Sequence, residues 1–151
     1  MVNAAIQGKV YPPTASYLVG REKIREFARA VSSEAAVHHD VIAARAAGYA
    51  DVIAPPTFAI VVQDATLKQL LDDGEAEVDF SRVVHGDQSF AYSRPIVAGD
   101  ELTGTMTVTS VKQLGGNSMV TSSTEISDAS GAHVVTAVST LVVRAAAEGA
   151  Q

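Results

Sequence analysis

The sequence has neither cysteine nor tryptophan among its 151 residues. Without thiols there is no disulfide scaffold, no thiolate metal site and no cysteine nucleophile, which suits a reducing compartment. Aromatic residues make up only 5%, so the core is expected to be built mainly of Val, Ala, Ile and Leu. Positive charge is also scarce: 11 Lys and Arg stand against 17 Asp and Glu, a formal net charge of −6. A general nucleic-acid binder, which gains affinity by neutralising phosphates, is therefore not expected. No apolar run reaches the roughly 18 residues needed to cross a membrane. The start, Met-Val-Asn-Ala-Ala-Ile-Gln-Gly-Lys, lacks the charged and apolar blocks of a signal peptide. A soluble cytoplasmic protein is the expectation.

What is present is apolar. Hydrophobic residues form 47% of the chain, enough for one packed domain at this length. The segment Ala54–Asp73 is the most apolar long stretch and opens with Pro55-Pro56. Proline is tolerated in a first helical turn, where its missing N–H would have no partner. Phe58, Val61, Val62 and Ala65 follow the i, i+3, i+4, i+7 spacing of a buried helical face. Ile60, Leu67, Leu70 and Leu71 spread apolar character further round, so a central helix wrapped by other elements is expected.

Residues 1–13 read as an arm ending at Pro12-Pro13, and Tyr17-Leu18-Val19 as a short strand. Arg21–Val31 reads as an amphipathic helix with Ile24, Phe27, Ala28 and Val31 on one face. Its charged face, with Arg21, Lys23, Arg25 and Arg29, is a solvated surface or a small basic docking patch. Ser32–Val37 is a loop. A short helix follows from about His39 to Ala47, with Asp40 at its positive end and Gly48 at its stop. Beyond Gly74 the period changes to two. Arg82–Ser93, Leu102–Thr109, Ser118–Ile126 and His133–Val143 read as antiparallel strands, with turns at Leu114–Asn117 and Asp128–Gly131. The tail from Ala145 is expected to fray. The fold class is α+β, an antiparallel sheet wrapped around a long central helix.

Four pieces in order carry a family resemblance: Arg21–Ala28, His38 ahead of Gly48, Ile53-Ala-Pro-Pro-Thr-Phe58, and Arg94-Pro-Ile-Val-Ala-Gly-Asp-Glu-Leu102. Together they resemble the MaoC-like hydratases and dehydratases, especially the HadA-type subunit of two-subunit (3R)-hydroxyacyl-carrier-protein dehydratases and the FAS1-like dehydratase domain. The resemblance implies one hotdog domain over residues 1–151, with a core at about 8–143. It also implies a dimer with the acyl chain of an acyl-carrier-protein or coenzyme A thioester entering between subunits, and no cofactor.

The family motif is Asp-x-Asn-x-x-His, and a glycine N–H at the start of the central helix holds the thioester oxygen. The resemblance gives the His the α-proton and the Asp the β-hydroxyl. A weakly acidic α-proton needs base and oxyanion donor together, and departing hydroxide needs a proton. Carried over, the His is His38, but Ser33 and Ala35 replace the Asp and Asn, and Pro56 replaces the glycine. Glu34, one residue from the lost Asp, is the candidate substitute acid. Tyr49, Pro56, Thr57, Phe58, His85 and Gln88 are candidate substrate contacts, ordinary sheet positions being the alternative for His85 and Gln88. Gly86 beside them signals a bulge. His38-His39-Asp40 lacks the i, i+4 spacing of a helical metal pair, so no metal site is expected.

The sequence thus reads as the acyl-binding, catalytically degenerate subunit of a (3R)-hydroxyacyl-thioester dehydratase of fatty-acid elongation, a lyase that needs a catalytic hotdog partner. The alternatives are a homodimeric acyl-thioester-binding protein without chemistry and a thioesterase. For the last, Asp64 is the only interior carboxylate candidate on the central helix.

Overall fold

A computed structural model describes residues 1–146. Three α-helices, α1 (Arg21–Ala30), α2 (Val41–Ala46) and α3 (Ile60–Asp72), accompany five strands: β1 (Tyr17–Leu18), β2 (Val83–Tyr92), β3 (Glu101–Leu114), β4 (Asn117–Ser127) and β5 (His133–Val143). The strands form one antiparallel sheet in the order β1-β3-β4-β5-β2. The sheet curls around α3, which packs chiefly on β3 and β4. This is the hotdog arrangement, α+β as expected.

Local chemistry sets these elements. Leu102, Gly104, Met106 and Val108 of β3 are buried under α3, while Thr103, Thr105, Thr107 and Thr109 alternate outward. Gly115 and Gly116 close the β3–β4 hairpin with φ of 57° and 79°, values that the turn demands and glycine supplies without strain. Gly104 lets the helix approach, since a Cβ there would lie 3.1 Å from Thr66 Cγ2 and 3.2 Å from Thr124 Cγ2. Asp40 caps α2 by accepting from the Ile42 amide at 2.8 Å. Among the described residues no helix is long and apolar enough to cross a membrane.

Three expectations are corrected. The central helix begins at Ile60, four residues beyond Pro56, because the Phe58 amide bonds back to the Pro55 carbonyl and holds a turn. Phe58 therefore precedes the helix, and the face toward the sheet is Val62, Gln63, Thr66 and Leu70, with Ala65 and Asp64 exposed. Asp64 is thus not the interior carboxylate that a thioesterase reading needed. The N-terminal arm is packed: Val2, Ile6 and Tyr11 are buried with Leu70, Met106 and Val108. Tyr11 donates to Asp73 at 2.6 Å and Lys9 pairs with the same carboxylate at 2.7 Å. At the other end the Ala145 amide bonds Asn117 at 3.0 Å, and the rest of the expected fraying tail, residues 147–151, lies outside the described residues.

Candidate functional site

A cleft of about 550 Å³ opens beside the entry to α3, lined by Val37, His38, Ile53, Ala54, Pro56, Tyr92, Ser93, Arg94 and Pro95. His38 ends a 3-10 turn over Ala36–His38 and is buried. Its Nδ1 lies 2.7 Å from the Ile53 carbonyl. A carbonyl only accepts, so Nδ1 carries the proton and the neutral ring presents Nε2 as its basic nitrogen. Across the cleft, Tyr92 donates its hydroxyl to the Pro56 carbonyl at 2.6 Å. Burial pushes this phenol up to about 12, against a smaller opposing pull from the Ala59 amide, so it stays a donor at neutral pH.

Of the candidate catalytic and substrate-contact residues named from the sequence, His38 and Pro56 meet in this cleft. Ser33 and Glu34 line a separate depression with Arg29 and His39, and the Ser33 carbonyl faces His39 Nε2 at 2.9 Å. Glu34 thus lines a depression other than the His38 cleft. Ala35 is spent on the 3-10 turn, its carbonyl accepting from the His38 amide. Tyr49 packs against the core and Thr57 is exposed in the turn before α3. Phe58 is fully buried, edge-on to Phe27 with centroids 5.3 Å apart, so it is core and not a cleft wall.

His85 and Gln88 border a second groove, of about 170 Å³, with Gln63, Asp64, Thr66 and Leu67 of α3. The expected bulge is there: pairing shifts between His85 and Asp87, and a Cβ on Gly86 would sit 3.2 Å from the Thr140 carbonyl. Among the described residues no cluster of three or more His, Asp or Glu is placed to hold a metal ion. The basic face of α1 is largely neutralised. Arg21 pairs with Asp51 at 2.6 Å, Lys23 with Glu26 at 3.2 Å, and Arg25 with Glu22 and the His39 carbonyl. Among the described residues only Arg29 of these four has no acidic partner, which favours the solvated reading of that face.

The sequence profile of the FAS1-like dehydratase domain region matches residues 5–137. The chain belongs to this dehydratase family. A UPF0336 protein of Leifsonia xyli subsp. xyli is 66% identical over 143 residues, covering 95% of this chain and 96% of that one. A solved MaoC-like dehydratase matches with a TM-score of 0.86 at 35% identity, over 94% of this chain and 43% of its own. This chain thus spans less than half of that protein. The HadBC (3R-hydroxyacyl-ACP dehydratase) complex from Mycobacterium tuberculosis gives a TM-score of 0.78 at 32% identity, covering 91% of this chain and 96% of that one.

In this FAS1-like dehydratase chain, sequence reasoning passed over Tyr92 and Ser93 as site residues and used Arg94 only as part of a turn. The signal was available in part, since Arg94-Pro95 directly follows the last alternating residues of β2. Arg94 reaches Asp100 through Nη1 and Nη2 at 2.8 and 3.0 Å, and Asp128 through Nη2 at 3.1 Å. It thereby ties the turn after β2 to the β4–β5 turn. Asp128 is held down at about 2, first by the Ser130 hydroxyl and then by Arg94. A carboxylate with a lowered folded pKa stabilises above its unfolded pKa and loses that contribution as pH falls through the folded value. Unfolding midpoints in urea should therefore fall between about pH 4 and pH 2. Asp128→Asn should flatten part of that limb, leaving the share of Asp51, Asp73 and Asp79, which are also lowered.

Proposed function

We propose that this chain is the acyl-binding subunit of a (3R)-hydroxyacyl-thioester dehydratase or hydratase of fatty-acid elongation, acting in the cytoplasm. A second hotdog subunit supplies the complete Asp, Asn, His and glycine set. The observation that carries this reading is the cleft itself. It has an oriented imidazole and apolar walls, yet Pro56 has no N–H to offer an oxyanion, and Ser33 and Glu34 face elsewhere. A base alone leaves the thioester enolate unstabilised and the departing hydroxide unprotonated.

Two surfaces suit a partner subunit. One is the outer edge of β2, which among the described residues has no further strand beside it, a feature that isolated chains rarely leave open. The other is the exposed flank of α3 around Asp64 and Ala65. The likeness to HadBC, a complex by its own description, supports a heterodimer over a homodimeric thioester-binding protein. The test is light scattering during titration with a hotdog chain carrying an intact Asp-x-Asn-x-x-His motif. A one-to-one complex is expected, and a chain that stays monomeric at micromolar concentration throughout the titration would overturn the proposal.

A further inference from the structure

The end of the sheet beside the cleft assembles a second set of reactive side chains, none of them part of the family motif. The Ser93 amide bonds the Val134 carbonyl at 2.8 Å, carrying the β2–β5 pairing one step past Tyr92 and Val135. Across the β4–β5 ladder Thr136 pairs with Glu125. These registers bring four side chains into one chain of contacts. Ser93 Oγ lies 2.5 Å from His133 Nδ1. His133 Nε2 lies 2.8 Å from Thr136 Oγ1 and 3.3 Å from Glu125 Oε2. Thr136 Oγ1 lies 2.9 and 3.0 Å from the two oxygens of Glu125.

With a neutral imidazole, one proton assignment satisfies every contact. An ionised carboxylate only accepts, so Thr136 donates to Glu125. The threonine oxygen then accepts, and His133 must carry its proton on Nε2. That leaves Nδ1 with a lone pair, into which Ser93 donates. Nucleophile, base and a third group that orients the base are the parts of an activated serine. Ser93 is exposed and lines the same cleft as His38, so its oxygen is open to a bound electrophile.

We propose that Ser93 is a nucleophile, with His133 as its general base, and that it accepts the acyl group of a thioester held in the cleft. The substrate class rests on the acyl-thioester reading of that cleft, whereas the nucleophile does not. In the first step Ser93 Oγ bonds to the thioester carbonyl carbon as its proton passes to His133 Nδ1. The C–S bond breaks and the thiolate takes that proton. In the second step water attacks the acyl-serine ester through the same base, releasing the carboxylic acid and restoring the hydroxyl. The net reaction is thioester plus water to acid plus thiol. Arg94, next in the chain, has both Nη atoms engaged with Asp100 and Asp128, so turnover is expected to be slow and the covalent adduct is the better readout.

The full chain is incubated with a fluorophosphonate probe and mapped by mass spectrometry, the Oγ–P bond forming as fluoride leaves. Ser93 should be labelled far faster than exposed Ser130. His133→Gln should slow labelling about 100-fold or more, with its thermal melt confirming a folded chain. Ser93→Ala should lose the adduct. Labelling at Ser93 no faster than at Ser130, or a rate indifferent to His133→Gln in the folded variant, would overturn the nucleophile. A parallel incubation with the N-acetylcysteamine thioester of butyrate should release thiol and acylate Ser93. Phosphonylation of Ser93 without any thiol release would overturn the thioester chemistry and count against the cleft's substrate class, leaving the activated serine in place.

Discussion

Alone, the chain will hydrate a short trans-2-enoyl thioester at no more than a trace rate, and an intact motif-bearing partner will raise the rate on the order of 10⁴-fold. Removal of one oxyanion donor typically costs about 100- to 1,000-fold, and loss of the acid about 100- to 10,000-fold. The positions that the family resemblance assigns to these groups hold Ser33 and Pro56 here. Pro56 has no N–H in any rotamer, and Glu34, which stands next to the position where the family has its Asp, lines a different depression with Arg29 and His39. The proposed assignment, in which the working His is the partner's, predicts that His38→Ala leaves the activity of the heterodimer nearly unchanged. The partner's own His→Ala should abolish it. Robust turnover by the isolated chain that disappears in His38→Ala would show that this subunit carries the chemistry itself. Steady-state hydration followed by loss of the enoyl-thioester absorbance, with both subunits quantified, decides between these outcomes.

The strands were legible because alternation is local. Thr103, Thr105 and Thr107 announce one face of β3, and Gly86 announces the β2 bulge. The packed arm was not legible, because Val2, Ile6 and Tyr11 have neither helical nor strand spacing and are buried against residues far along the chain, such as Leu70, Met106 and Val108. The start of α3 was misplaced for a related reason. Two prolines permit a helix from residue 56, but the bond from the Phe58 amide to the Pro55 carbonyl selects a turn, which rotates the face toward the sheet. The cleft was half legible. His38 and Pro56 come from motif segments close in sequence, whereas Tyr92, Ser93 and Arg94 reach them only once β2 has paired with β5. The contact of Ser93 with His133, 40 residues apart, depends on strand register and has no signature in spacing.

Phe58 shows how a motif position divides between structure and substrate, and its replacement has the largest stability effect expected in the chain. Its side chain is fully buried and meets Phe27 edge to face at 5.3 Å. It bridges α1 to the turn before α3, and the surrounding cluster includes Ile24, Val62 and Leu102. Phe→Ala in such a core typically costs about 3–5 kcal/mol through lost transfer energy and an unfilled cavity. For a chain of this size that is a fall in Tm of about 6–20 °C. Phe58→Leu keeps most of the volume and should cost less than about 1.5 kcal/mol. Thr57→Ala, one position earlier in the exposed turn, should stay within about 0.5 kcal/mol. Urea unfolding of the three variants tests the ranking. If Phe58 instead formed a cleft wall, Phe58→Ala would weaken acyl-thioester binding while leaving the melt within a few degrees of the parent, and its assignment to the core would fail.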